Sequence, residues 1–245
     1  MHGRLIRSLL GPCLGPAALA APLPHPFVMS GLDGANGYIF QGIDQDDLAA
    51  VAVAGAGDVD GDGFEDFLAG ARLADPGGRS QAGEAYLLFG QEGASASPLA
   101  LSSLAESRGV RFEGVAVDDL AGISISGLGD FDGDGLDDLA VGAVYFDPPG
   151  RLDAGAVHLI YGTPSGFGAG GVLPLASLDG LTGVTLLGAS EEDGAAQSLS
   201  GLGDLNGDGR NDLLIGAPME RRAGEGLAAV VFGAPSLGGG GTFDT

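Results

Sequence analysis

The chain has 245 residues, with 33 Asp and Glu against 10 Lys and Arg, for a formal net charge of -23. That balance excludes nucleic acid and anionic membrane surfaces as partners, because both need basic patches, and it favours cations. The 48 glycines and 13 prolines would mean disorder in a polar chain, but 44% of the residues are hydrophobic and the glycines recur in order, which reads as turns between short strands.

At the N-terminus, Arg4 and Arg7 precede an apolar run that ends at Ala18-Leu19-Ala20. This pattern predicts a secretory signal peptide over residues 1–20 and a short leader over 21–26, hence a secreted or cell-surface protein. The single cysteine, Cys13, lies inside that segment, so the chain has no internal disulfide and no cysteine-based metal site. No apolar run is long enough to span a bilayer.

From residue 27 onward the chain repeats itself, in units of 27–98, 99–172 and 173–233, followed by a glycine-rich tail over 234–245. Each unit carries a segment of one type: GYIFQG at 37–42, GVRFEG at 109–114, GVTLLG at 183–188. Small, alternating segments follow at Ala50–Ala54, Gly122–Ser126 and Ala196–Ser200. Next come an acidic loop and a compact apolar run (FLAGA, LAVGA, LLIGA). Each unit closes on an aromatic residue and glycine, at Phe89-Gly90, Tyr161-Gly162 and Phe232-Gly233. Four short strands per unit, repeated without any 3.6-residue period, predict an all-β chain of four-stranded antiparallel blades, as in a propeller.

The acidic loops carry the chemistry. Positions 1, 3, 5 and 9 are Asp58, Asp60, Asp62 and Asp66 in the first copy. They are Asp130, Asp132, Asp134 and Asp138 in the second, and Asp204, Asn206, Asp208 and Asp212 in the third. Position 6 is glycine each time, and the carbonyl of position 7 (Phe64, Leu136, Arg210) offers a further oxygen. Alternate side-chain oxygens around a sharp glycine turn suit a hard cation with six to eight oxygen ligands, so three Ca²⁺ sites are expected. Position 12, which is acidic in an EF-hand, is Ala69, Val141 or Ile215, each inside an apolar strand. The loops therefore join two strands instead of leading into a helix. Extracellular sites of this kind bind calcium at roughly 10⁻⁴–10⁻³ M.

These units resemble FG-GAP repeats, the blades of the integrin α-subunit propeller and of bacterial secreted and surface proteins. The resemblance rests on Phe89-Gly90, Phe232-Gly233 and Gly216-Ala217-Pro218, on the three loops, and on a span from Phe27 to Gly233. Tyr161 replaces the Phe in one copy, and GAR and GAV stand for GAP in the others. The resemblance implies a seven-bladed ring whose calcium loops face away from the ligand-binding surface, and a role in adhesion or ligand binding. Some family propellers accompany phospholipase D-type hydrolases.

Three units are too few for that ring, so an open arc of about three blades is expected, as a fragment or truncated reading frame. The lead-in segments at Leu99–Leu104 and Leu173–Leu178 have no evident copy after Gly233. GYIFQG has no unit before it and could close the last blade; alternatively, several chains assemble into a ring. No catalytic constellation is present. His2, His25 and His158 are scattered, and GFGAGG at 166–171 matches a dinucleotide motif only formally, since no helix is expected after it. Asp47, Asp119 and Asp193 recur at one register, as turn residues or as a second set of ion ligands. The expected function is a non-enzymatic, calcium-binding module for a protein or glycan ligand. The alternatives are the non-catalytic part of a larger secreted hydrolase and a gene remnant.

Overall fold

A computed structural model describes residues 28–93, 97–218, 226–235, 237 and 242–244; the expected signal peptide and leader lie outside the described residues. The strands in chain order are β1 (Phe40–Gln41), β2 (Ala52–Gly57), β3 (Asp66–Ala71), β4 (Glu84–Leu88) and β5 (Leu99–Ala100). They continue with β6 (Gly109–Glu113), β7 (Ser124–Gly129), β8 (Asp138–Ala143), β9 (Ala156–Ile160) and β10 (Val172–Pro174). The last are β11 (Gly183–Leu187), β12 (Ser198–Gly203), β13 (Asp212–Ala217), β14 (Leu227–Val231) and β15 (Thr242–Asp244). The described residues form no α-helix, only five single-turn 3₁₀ segments.

The strands group into blades. Blade 1 is β2-β3-β4-β6 and blade 2 is β7-β8-β9-β11, each antiparallel throughout, while blade 3 is β12-β13-β14. Every type of strand expected from the repeats is present, in an open arc. The first strand of each blade begins two residues later than its alternating segment, because Ala50, Gly122 and Ala196 have φ of 66°, 85° and 72° and turn the chain instead of extending it. Each first strand ends on a bulge at Ala56, Leu128 or Leu202, and a glycine with positive φ (Gly57, Gly129, Gly203) then feeds the acidic loop.

Alternation along the strands supplies both faces of each blade. Leu68, Leu87 and Phe89 of blade 1 pack with Ile125, Leu139 and Val141 of blade 2 in one core. A second core joins Phe131, Leu159 and Tyr161 of blade 2 to Leu213 and Ile215 of blade 3. Neighbouring blades approach through glycine. Gly83 and Gly155 (φ 80°) lie so close to the next blade that a Cβ would stand 2.1 and 2.2 Å from the carbonyl oxygens of Ala121 and Ala195. Gly155→Ala should therefore cost about 2–4 kcal/mol. Gly150→Ala, with a φ of 79° but open space around it, should cost only about 1–2 kcal/mol of backbone strain. Equal losses in chemical denaturation would refute this packing.

Two chain-end expectations need correction. GYIFQG does not close blade 3: β1 runs parallel to β5, with Phe40 opposite Leu99, and its Phe40 packs on Phe67 at 5.7 Å between ring centroids. The lead-in segment does recur after Gly233, because β15 runs parallel to β11 with Phe243 opposite Leu186. β10 pairs with β6 in the same register, Leu173 opposite Phe112. Thus β1 stands on blade 1 as β6 stands on blade 2 and β11 on blade 3. Sequence could not reveal the third lead-in, since its backbone pairing survives without the leucine pattern.

Candidate metal centres at the hairpin tips

The three acidic loops are the turns of the β2–β3, β7–β8 and β12–β13 hairpins. Each is built by side chains that fold back on their own backbone. The position-1 carboxylate accepts the N–H of position 6: Gly63 to Asp58 at 3.0 Å, Gly135 to Asp130 at 3.1 Å, Gly209 to Asp204 at 2.9 Å. Position 3 accepts the N–H of position 5 in all loops, at 3.1, 3.0 and 2.9 Å for Asp60, Asp132 and Asn206. Asp62, Asp134 and Asp208 accept the N–H of Phe64, Leu136 and Arg210 in turn, at 2.8, 2.9 and 3.0 Å. These bonds curl each loop so that alternate carboxyl groups share its concave side.

In the first loop, oxygens of Asp58, Asp60 and Asp62 all lie within 4.8 Å of one another; in the second, those of Asp130, Asp132 and Asp138 do. Asp66 is outside the first of these clusters and Asp134 outside the second. In the third loop Asn206 Nδ2 donates to Asp208 at 2.9 Å. The residues fit a cation: Asp58 Oδ1 is buried and has no hydrogen-bond partner, although two further carboxylates crowd it. A buried, unpaired carboxylate oxygen is costly unless something positive faces it, and an all-oxygen set suits a hard dication. The Tyr161 hydroxyl, beside the second loop, is likewise buried without a partner, and burial followed by the charges of Asp132 and Asp138 pushes it up to about 12.

The position-9 acids do something the sequence does not announce. Asp66, Asp138 and Asp212 are buried at the first residue of β3, β8 and β13. One oxygen of each accepts the N–H of position 2 (Val59 3.0 Å, Phe131 2.8 Å, Leu205 2.8 Å). The other accepts the N–H of the glycine that closes the unit (Gly90 2.8 Å, Gly162 2.7 Å, Gly233 2.9 Å). The same three glycines admit no side chain, since a Cβ would lie 2.5–2.6 Å from a carbonyl oxygen of the loop. The aromatic-glycine signature is thus the far anchor of the acidic loop.

Burial, opposed by these N–H bonds, raises Asp66 to about 6 and Asp138 to about 7. The metal-free native state therefore binds these protons more tightly than the unfolded chain does. Their stabilising contribution is complete below about pH 4 and is lost as pH rises through about 6 to 7. EDTA-treated protein should consequently melt at a higher temperature at about pH 5 than at about pH 8; a melting point that falls on acidification would refute it.

Position 8 was missed. Glu65, Asp137 and Asn211 are polar in every copy, and that regularity was the available signal. Asp137 accepts the N–H of Asp58 at 2.7 Å and donates its own to the Asp58 carbonyl, while Asn211 donates its N–H to the Asp130 carbonyl at 2.9 Å. The first two loops are therefore each clamped by the next blade. Elsewhere, Asp47 and Asp119 accept the N–H of Asp44 and Ala116, three residues earlier, as turn staples, and Asp193 Oδ1 is buried without a partner. His158 is buried in β9 against Thr185 Oγ1 at 3.0 Å, and burial pushes it down to about 4. Residues 166–171 form bends and turns that lead into β10, with a single 3₁₀ turn at Leu175–Ser177 and no α-helix after them.

Among known proteins, integrin alpha-PS2 of Drosophila melanogaster is 36% identical over 110 residues, covering 43% of this chain and 7% of its own length. Phosphatidylinositol-glycan-specific phospholipase D is 29% identical over 185 residues in Rattus norvegicus and 30% over 192 in Bos taurus. These alignments cover 75% and 73% of this chain and 20% of each enzyme, so the chain spans a fifth or less of the relatives it matches. The FG-GAP repeat pattern itself matches residues 49–88, 121–160 and 195–242. Those stretches begin just before β2, β7 and β12 and each contains one acidic hairpin. They amount to more than half of the sequence, and the chain belongs to the FG-GAP repeat family.

Proposed function

We infer that the chain is an exported, calcium-binding propeller module that binds a protein or glycan ligand at a cell surface, without catalysis of its own. The observation that carries the calcium reading is the cluster of Asp58, Asp60 and Asp62, with one Asp58 oxygen buried and unpaired. The proposed ligands are the side chains at positions 1, 3, 5 and 9 and the backbone carbonyl at position 7: Asp58, Asp60, Asp62, Phe64 and Asp66; Asp130, Asp132, Asp134, Leu136 and Asp138; Asp204, Asn206, Asp208, Arg210 and Asp212. A divalent ion there offsets the repulsion of the clustered carboxylates and stiffens the hairpin tips. Export is supported by the basic residues, apolar run and small-residue site at 1–20, and adhesion by the likeness to an integrin. Among the described residues, no helix is long and apolar enough to cross a membrane.

A second reading has support of its own. The phospholipase D relatives align with about three quarters of this chain, against 43% for the integrin. On that reading the module accompanies a hydrolase. Coding sequence flanking this chain distinguishes the two: further blades favour adhesion, and a phospholipase domain favours the hydrolase. Calorimetric titration of EDTA-stripped protein with Ca²⁺ tests the common element. Saturation near three equivalents is expected, and absence of heat and of any shift in stability would remove the metal reading.

A further inference from the structure

Blade 3 exposes the positions that the other blades bury. Leu205 is 62% exposed, whereas its counterparts Val59 and Phe131 are 0%. Val230 is 42% exposed against 0% and 1% for Leu87 and Leu159, and Phe232 is 51% against 8% and 6% for Phe89 and Tyr161. In blades 1 and 2 these side chains are covered by the next blade and by a fourth strand. Among the described residues, β14 is a sheet edge with neither.

The opposite end of the arc carries the complementary surface. Val53 of blade 1 is 64% exposed, while its counterpart Ile125 is 7% exposed in the core between blades 1 and 2. β1 already stands beside blade 1 where the fourth strand of a preceding blade would stand, since Phe40–Leu99 repeats the register of Phe112–Leu173. The polar groups match too. Gly201 N–H donates to Ser126 Oγ across the blade 2–blade 3 seam, and Asp137 caps the Asp58 N–H across the blade 1–blade 2 seam. On the open face of blade 3 the corresponding groups are Ser200 Oγ and the Asp204 N–H. On the open face of blade 1 they are Gly55 N–H and Glu65, both in register to meet them. Gly203, unlike Gly57 and Gly129, has nothing within 4 Å where the next blade's position-8 side chain would sit.

We propose that blade 3 of one copy docks on blade 1 of a second copy, whose β1 completes blade 3 by pairing antiparallel with β14, Gly37 opposite Val231. The contact is heterologous, so its repetition must close a ring or propagate. If two copies pair at both seams, their described blades number six, within the roughly four to eight blades of known propellers. The occupant is a second copy because one chain holds both halves of a seam that it already makes twice internally. The inference does not rest on calcium binding.

Analytical ultracentrifugation of the full chain at about 100 μM in about 0.5 M NaCl, where the acidic surfaces are screened, tests it. The expected mass is twice the 24.1 kDa of the chain. Val53→Arg and Leu205→Arg change exposed side chains, so each should fold, as circular dichroism will verify, and each should weaken self-association by about 100-fold. An equimolar mixture of the two retains one intact pair of faces and should regain the double mass. A wild-type mass of 24.1 kDa overturns the proposal and leaves the face to a further blade from another stretch of chain. A mixture that stays monomeric, or variants that still pair, overturn it equally.

Discussion

Asp138→Ala should destabilise the protein by about 3–5 kcal/mol even with all metal removed. The substitution strands the N–H groups of Phe131, Asp132 and Gly162, which donate to Asp138 at 2.8, 3.1 and 2.7 Å in a site that is 1% exposed. A buried donor without a partner costs about 1–3 kcal/mol, and water can recover part of that at the loop surface. For a chain of this length the loss lowers the melting temperature by about 2–4 °C per kcal/mol. Asp132→Ala, in contrast, frees only the N–H of Asp134, near the loop surface, and should cost about 1 kcal/mol or less. Both changes should weaken calcium uptake at the second loop. Thermal unfolding in EDTA separates them, and equal melting points would show that the position-9 carboxylate is not the anchor described above.

Saturating calcium should raise the stability of the wild-type chain by about 2.7 kcal/mol for each independent site at 100 times its dissociation constant, hence about 8 kcal/mol for three. The hairpins should keep their form without the ion, because positions 1, 3, 5 and 9 also bind backbone N–H groups, as in the first loop. EDTA should thus leave a folded but much less stable protein, with unchanged circular dichroism and a lower melting temperature. Magnesium should do less, since it demands a near-ideal octahedral site and releases water reluctantly. A melting temperature indifferent to calcium at millimolar concentration would contradict the proposed role of the loops.

The acidic loops were legible in the sequence because their geometry is local. A glycine at position 6 and acids at alternate positions describe one turn, and three copies in register left little else for them to be. The strands were legible for the same reason: a period of two and bounding turn residues record what a short stretch of backbone can do. Their starts were misplaced by two residues, since nothing at Ala50 or Ala196 announces a left-handed backbone in a residue with a side chain.

What the sequence determined by itself is the repeated unit, its strand types and the oxygen-rich hairpin tip, all of which depend on residues within a dozen positions of each other. Only the tertiary structure decided that Asp66, Asp138 and Asp212 tie the loop to the closing glycine, that Asp137 clamps the preceding loop, and that β1 rests on blade 1. Those contacts join residues from about 20 to about 80 positions apart. Their partners are backbone groups, which every residue type carries, so the side-chain pattern holds no record of which of them will meet.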